Sequence, residues 1–339
     1  MRLKKLFALI PFTLLGIHAS AIEQIDGVYQ ISTAEDMTAF AELVNAGEAT
    51  ANAVLTHDID FSEYNVMLGD GTGYAGVLDG QGHTVTINIS GGEDGVNYVA
   101  FVRELDGGTI QNLILKGNLA SASLFAGGIV GHTKINTDAR NVIRNVVSEV
   151  NMTQTGPNGQ YGDVGFGGFV GHIQNALIEN CIFAGSIKTS GNSTSGVTGW
   201  ADDLTMRNCA VIGDIEVGDY TQCFADARGV NIVEENFYYK TALSGPFVPS
   251  AATQVSEEQI LNGELCQMLN KGQDETVWYQ VVGIDLYPMP MQHGDGIEGI
   301  ADEQHVVSGL FDLSGRKMER TNNLQRGIYV IDGKKLFVK

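Results

Sequence analysis

The chain has 339 residues, of which 43 are Gly, 6 are Pro and 18% are charged, with a formal net charge of −20. This composition excludes a coiled coil and a disordered low-complexity chain, and it fits tightly turning β structure. So acidic a surface disfavours nucleic acid and anionic membrane faces as partners.

Arg2, Lys4 and Lys5 precede an apolar run from Leu6 to Ile17 that ends in Ala19, Ser20 and Ala21. The charged start, apolar middle and small-residue end predict a secretory signal peptide over residues 1–21. The run is too short to span a bilayer, and no other stretch is long enough, so the mature chain is expected to be exported without a membrane span. Loss of the three cations takes the net charge from −20 to −23.

Residues 22–53 are predicted to hold a strand and a capping helix. Ser32 or Thr33 suits the N-cap, Glu35 and Asp36 the first turn, and Met37, Phe40, Ala41 and Val44 form one apolar stripe. Such a helix would cover the open end of a strand stack. Residues 54–61 read as the next strand. Asp79, in a Leu-Asp-Gly-Gln-Gly stretch, reads as a turn residue rather than a catalytic carboxylate.

Residues 54–250 are organised by a repeat. Gly127-Gly-Ile-Val-Gly131 and Gly167-Gly-Phe-Val-Gly171 each precede a β-like run, and weaker copies flank them. The copies align on Asn112, Asn145, Asn180, Asn208 and Asn236. Before each of the first four Asn, the apolar residue has its parity: Ile110, Ile143, Ile178 and Met206. After it, the apolar set takes the other parity, as in Leu113/Leu115, Val146/Val150, Cys181/Phe183, Cys209/Val211 and Phe237/Tyr239. Strand side chains alternate with period two, so a parity change at one fixed place predicts a bend there. Asn suits the bend, because it tolerates a left-handed backbone and its amide can bond the next copy. Units of this length stack on their neighbours, which predicts an all-β solenoid of the parallel β-helix kind. A β-sandwich with coincidental Asn residues is the competing architecture.

Four Cys are too few for a disulfide-built scaffold. Cys181 and Cys209 share one register, so they are either a vertical bridge or two stacked small apolar residues.

The two Gly-Gly-x-Val-Gly segments resemble the GLUG repeat of bacterial surface and secreted proteins. Leu78-Asp-Gly-Gln-Gly-His-Thr-Val85 is similar to the opening of right-handed, pectate-lyase-like β-helices. The resemblance covers about residues 50–245 and implies a right-handed parallel β-helix with an adhesive or cell-surface role.

Residues 251–291 are predicted to close the other end, with one amphipathic helix over 256–270 and a strand at Trp278. Ser256 is its N-cap and Gln259 its capping-box partner. Trp278 reads as a packed cap residue rather than a sugar platform. This helix–Trp–Tyr–Gln–Gly–Asp–Pro order resembles the end segment that follows such repeats. Residues 292–306 are a polar linker. Residues 307–339 read as a small β tail, with turns at Ser314-Gly315 and Asp332-Gly333 and seven Lys/Arg against three Asp/Glu. Its Asp-Leu-Ser-Gly-Arg and Leu-Gln-Arg-Gly-Ile-Tyr-Val stretches resemble the sorting domain of type IX secretion substrates. That resemblance implies passage through this machinery to a Gram-negative outer surface.

Catalytic signals are sparse. Asp202 and Asp203 are the nearest echo of a glycosidase pair, but adjacent strand residues point apart. Lys188 and Arg207 stand alone as lyase bases, and His132 with His172 would need a third metal ligand that does not recur. Nucleophile-elbow, zincin and P-loop motifs are missing. No catalytic, cofactor-binding or metal residue is assigned. The expected role is non-catalytic contact with a polysaccharide or a host or microbial surface glycan, through loops such as 158–161 and 191–195. A divergent polysaccharide lyase or glycoside hydrolase, and a structural envelope component, are the alternatives.

Overall fold

The computed structural model describes residues 22–92, 98–135, 138–156, 164–191, 194–216, 232–243 and 252–290, and strand backbone at 310–312, 317–318, 327–331 and 334–338. The signal-peptide and linker expectations lie outside these residues. Two compact units emerge, residues 1–293 and 294–339.

The first unit is predominantly β, with a large and largely parallel sheet. Its main path runs through Val28–Ile31, Asn52–Leu55, Val77–Asp79, Thr109–Ser121, Asn141–Gln154, Val170–Phe183, Thr198–Val211, Ile232–Tyr239 and Ala252–Gln254. Consecutive copies pair in parallel, with Ile143 opposite Ile110 and Ile178, and Ile178 opposite Met206. Ile110, Ile143, Ile178, Met206, Leu113, Val146, Cys181, Cys209 and Phe237 are all buried in one core. The parity change therefore puts both halves of each copy on the same side of a bend.

The bend is where the Asn residues stand. Asn112, Asn145, Asn180, Asn208 and Asn236 all adopt a left-handed backbone, with φ between 51 and 53°. Asn145 Nδ2 donates to Asn112 Oδ1 at 2.9 Å, and Asn236 Nδ2 to Asn208 Oδ1 at 3.0 Å. A second corner, at Asn175 and Asp203, was not read from the sequence. The Gly-Gly turns form the opposite kind of corner, where backbone crosses backbone. A Cβ on Gly167 would lie 1.9 Å from the Val170 carbonyl oxygen, so no other residue fits.

Helix α1, Ala34–Asn45, is capped by Thr33 in a capping box with Asp36. It sinks Met37, Phe40, Ala41 and Val44 into the main core beside the first strands. The expected 256–270 helix is two helices, α2 (Glu257–Leu261) and α3 (Glu264–Asn270), because Gly263 between them has φ +88°. Ser256 and Gln259 form the expected capping box.

This C-terminal segment does not sit where the sequence reading put it. It packs on the flank of the sheet, in a second core separate from the first. The residue two beyond each corner Asn points outward and is apolar: Ile114, Val147, Ile182, Ala210 and Tyr238, in register across five copies. Ile260, Leu265, Cys266, Leu269 and Trp278 cover that stripe. Burying each large side chain contributes about 1.5–3 kcal/mol, so an uncovered flank would be costly.

In the second unit, Leu310–Asp312, Lys317–Met318, Gly327–Ile331 and Lys334–Val338 form one antiparallel sheet. Its hairpins flank the two expected turn dipeptides. Among the described residues no helix is long and apolar enough to cross a membrane.

Candidate functional site

The residue before each corner Asn points outward, and these residues make a column of alternating charge. Asp79, Gln111, Arg144, Glu179, Arg207 and Glu235 follow one another in register. Gln111 joins its neighbours, giving Nε2 to Asp79 Oδ2 at 2.7 Å and taking Arg144 Nε and Nη2 on Oε1 at 2.8 and 2.6 Å. Arg207 Nε lies 3.5 Å from Glu179 Oε2. Such exposed pairs contribute about 0–1 kcal/mol each, so the column orients side chains more than it stabilises the fold.

The segment between α3 and the strand Trp278–Tyr279 borders this column. Asn270 fixes it, accepting from the backbone N–H groups of Val277 and Trp278 at 3.0 and 2.9 Å and donating to the Trp278 carbonyl at 2.7 Å. The result is a cleft of about 330 Å³ lined by Gln111, Asn112, Arg144, Asn145, Glu179, Asn180, Glu275 and Val277. One wall is the Asn corner, locked by its amide ladder. The other is the edge of the flank-covering segment. Sequence reading missed this site because Glu275 and Val277 reach it from outside the repeat. The outward parity of Gln111, Arg144 and Glu179 was a signal already present.

A second outward feature lies beside the Gly-Gly turns. Glu104, His132, His172 and Trp200 stack in register on successive copies, and Tyr98 and Phe125 join them from across the turn. The His132 and His172 rings are 4.8 Å apart, His132 and Tyr98 4.4 Å, and His172 and Trp200 5.2 Å. His132 Nε2 lies 3.1 Å from Gln174 Oε1, and Lys134 Nζ 3.2 Å from Glu104 Oε2. Burial, aided by the neighbouring His132, lowers the His172 pKa to about 4. Burial works to raise the Glu104 carboxyl, but His132 and Lys134 outweigh it and hold it below the usual carboxylate range. The rings face one another, so this ladder uses most of its surface internally.

The other singled-out residues fall into structural places. Asp79 accepts from the Gln81 N–H and from Gln111 and Asn112, which makes it the first member of the ladder. Asp203 is a left-handed corner residue 3.6 Å from Arg140, while Asp202 stands opposite Gln174. Lys188 pairs with Glu216 at 3.4 Å. Among the described residues no three His, Cys, Asp or Glu groups converge as a metal site. Cys181 and Cys209 are buried free thiols, bonded weakly to the carbonyls of Glu179 and Arg207. Burial, reinforced by Cys209, pushes the Cys181 thiol well above its usual range.

Of the loop expected at 191–195, residues 192–193 lie outside the described residues, and the other three turn inward. Gly191, Thr194 and Ser195 are buried, and the two hydroxyls close turns by donating to the carbonyls of Val164 and Thr198. Residues 158–161 lie outside the described residues. Trp278 is buried in the flank core, so it packs and presents no platform.

No family model and no curated protein matches the chain. Among solved structures, a Bacteroides ovatus protein provisionally described as an immunoglobulin A1 protease is similar, with a TM-score of 0.55 at 17% identity over 78% of this chain and 92% of its own. An IgA1 protease aligns with a TM-score of 0.43 at 16% identity, over 81% of this chain and 26% of its own. At such identity the first likeness is one of fold.

Proposed function

We propose that the chain is an exported surface protein, a right-handed parallel β-helix with GLUG-like repeats, which holds glycans without cleaving them. The basic tail reads as a type IX sorting segment. The parallel register of the five Asn copies and the antiparallel tail sheet support the architecture. The observation that carries the function is the cleft beside the Asn corners. Its walls are fixed, and its guanidinium, carboxylate and amide groups offer donors and acceptors together, as sugar hydroxyls require.

A second reading, glycoside hydrolysis, is favoured by one observation: Glu179 and Glu275 border the same cleft. Two carboxylates on one sugar site are the minimum that this chemistry needs. The likeness to the Bacteroides ovatus protein is one of fold, and a fold hosts many activities, so it does not choose between these readings.

The test incubates the chain lacking residues 1–21 with plant, host and microbial polysaccharides, scoring binding and the release of reducing or unsaturated ends. Binding without release is the expected result. Release of sugar ends assigns the enzyme reading, and silence in both assays leaves a structural envelope component.

A further inference from the structure

The cleft's unused hydrogen-bonding groups narrow the kind of glycan it takes, an inference that rests on the glycan reading above. Most of its polar atoms are engaged. Gln111 is shared between Asp79 and Arg144, Asn112 between Asp79 and Asn145, and Asn145 donates to Asn112. The ladder then breaks. Asn208 is bonded to Asn236, and Asn180 Oδ1 is shielded from solvent with no hydrogen-bond partner. An orphaned buried acceptor of this kind costs about 1–3 kcal/mol, and a group that water cannot reach is closed to a ligand in the cleft as well. On the opposite side of the charge balance, Arg144 spends Nε and Nη2 on Gln111 and keeps Nη1 to donate.

A ligand must therefore receive a hydrogen from Arg144 and give one to Glu179 or Glu275. A hydroxyl does both. A carboxylate would suit Arg144, but it offers no hydrogen to Glu179 or Glu275 and faces both at the same sign. The net charge of −20 adds long-range repulsion of anionic chains. An ammonium would suit the carboxylates but would meet the guanidinium. The volume of about 330 Å³ stands at the low end of the range for small-molecule sites, roughly 300–1,000 Å³, so it holds one or two sugar rings rather than a long segment.

We propose that the cleft between the Asn145–Asn180 corner and the Glu275–Val277 edge binds a neutral one- or two-ring unit of a glycan, and that it rejects carboxylated sugars. Arg144 reads a hydroxyl oxygen, and Glu179 with Glu275 read a hydroxyl hydrogen and exclude the acid.

The experiment is calorimetric titration of the chain lacking residues 1–21 with cellobiose, maltose and N-acetyllactosamine, against digalacturonic acid and sialyllactose as charged probes. The neutral arm is expected to bind at least tenfold more tightly than the charged arm. Glu275→Gln, an exposed change that leaves the fold alone, is expected to narrow that gap severalfold, and Arg144→Ala to weaken the neutral arm about tenfold. Equal or tighter binding of the charged sugars overturns the inference and leaves glycan binding standing. Neutral binding that neither variant alters places the sugar elsewhere and also overturns it. Silence across all five probes, together with silence on the polysaccharides, removes the glycan reading itself.

Discussion

The two copies that carry a Gly-Gly turn have two kinds of corner, and they spend their side chains differently. At the Asn corner a polar residue is repeated in a left-handed backbone, and its amides bond from copy to copy. At the Gly-Gly corner the side chain is deleted so that backbones touch, and the outward rings beside it stack on one another. Stacked rings gain from contact with one another, although His172 Nδ1 is buried there with no hydrogen-bond partner. An amide ladder has two ends and any break leaves a free valence, as at Asn180. What sets the polar corner apart is the cleft that it borders, where a ligand can reach Arg144, Glu179 and Glu275.

The largest expected effect comes from the segment that gives the Asn corner its second wall. Trp278→Ala should destabilise the first unit by about 3–5 kcal/mol in urea denaturation, since the ring is fully buried in the flank core. Glycan binding should be lost with it. Trp278→Phe should cost far less, because the indole Nε1 makes no hydrogen bond in its buried site. Equal losses in both would mean that the flank core depends on the indole itself.

The Asn corner can be split into its two parts. Asn145→Ala loses the amide bond and strains the left-handed backbone, together about 2–3 kcal/mol. Asn145→Gly relieves the strain and should cost only about 1 kcal/mol. If Gly proves as damaging as Ala, the ladder rather than the backbone dominates this corner.

The ring corner should show itself through acid. His172 has its pKa lowered to about 4 from 6.5, so the unfolded chain binds the proton more readily in between. Stability is then fully present above pH 6.5 and falls progressively as pH drops through 4, by about 2 kcal/mol after allowance for the ring's partial exposure. The groups around it are His132, Tyr98, Phe125 and Trp200, with Glu104 and Lys134 beyond His132. His172→Phe should flatten the slope of the urea midpoint across this window. An unchanged slope would show that His172 does not carry the acid response in this window, since the lowered pKa of Glu104 makes its contribution fade only below the ordinary carboxylate range.

The repeat was legible because local chemistry and long-range register agree at one residue. Asn145 is favoured by its own backbone and by Asn112, so a sequence reading finds both at once. Capping at Ser256 and Gln259 was legible for the same reason, being settled within four residues. The cleft was not, because Glu275 meets Glu179 through chain folding that no local preference encodes. The placement of α2 and α3 failed differently. Ile114, Val147, Ile182, Ala210 and Tyr238 spelled out an apolar outer stripe, but a period of about thirty residues hides such a column from any short window. The break at Gly263 was likewise visible as a residue and became a break only through its φ of +88°.

The covering of that stripe has a mechanical meaning. Units that touch only their neighbours can be peeled away one by one, each at small cost. The α2–α3 segment and Trp278 rest on side chains from several consecutive copies, and Tyr238 and Tyr287 tie it to them through Met268 and Glu149. Tension applied at residue 290 is thus shared among those copies before any single one is loaded. The segment works as a strap laid across the stack, and the force needed to start unzipping is set by the strap rather than by the last copy.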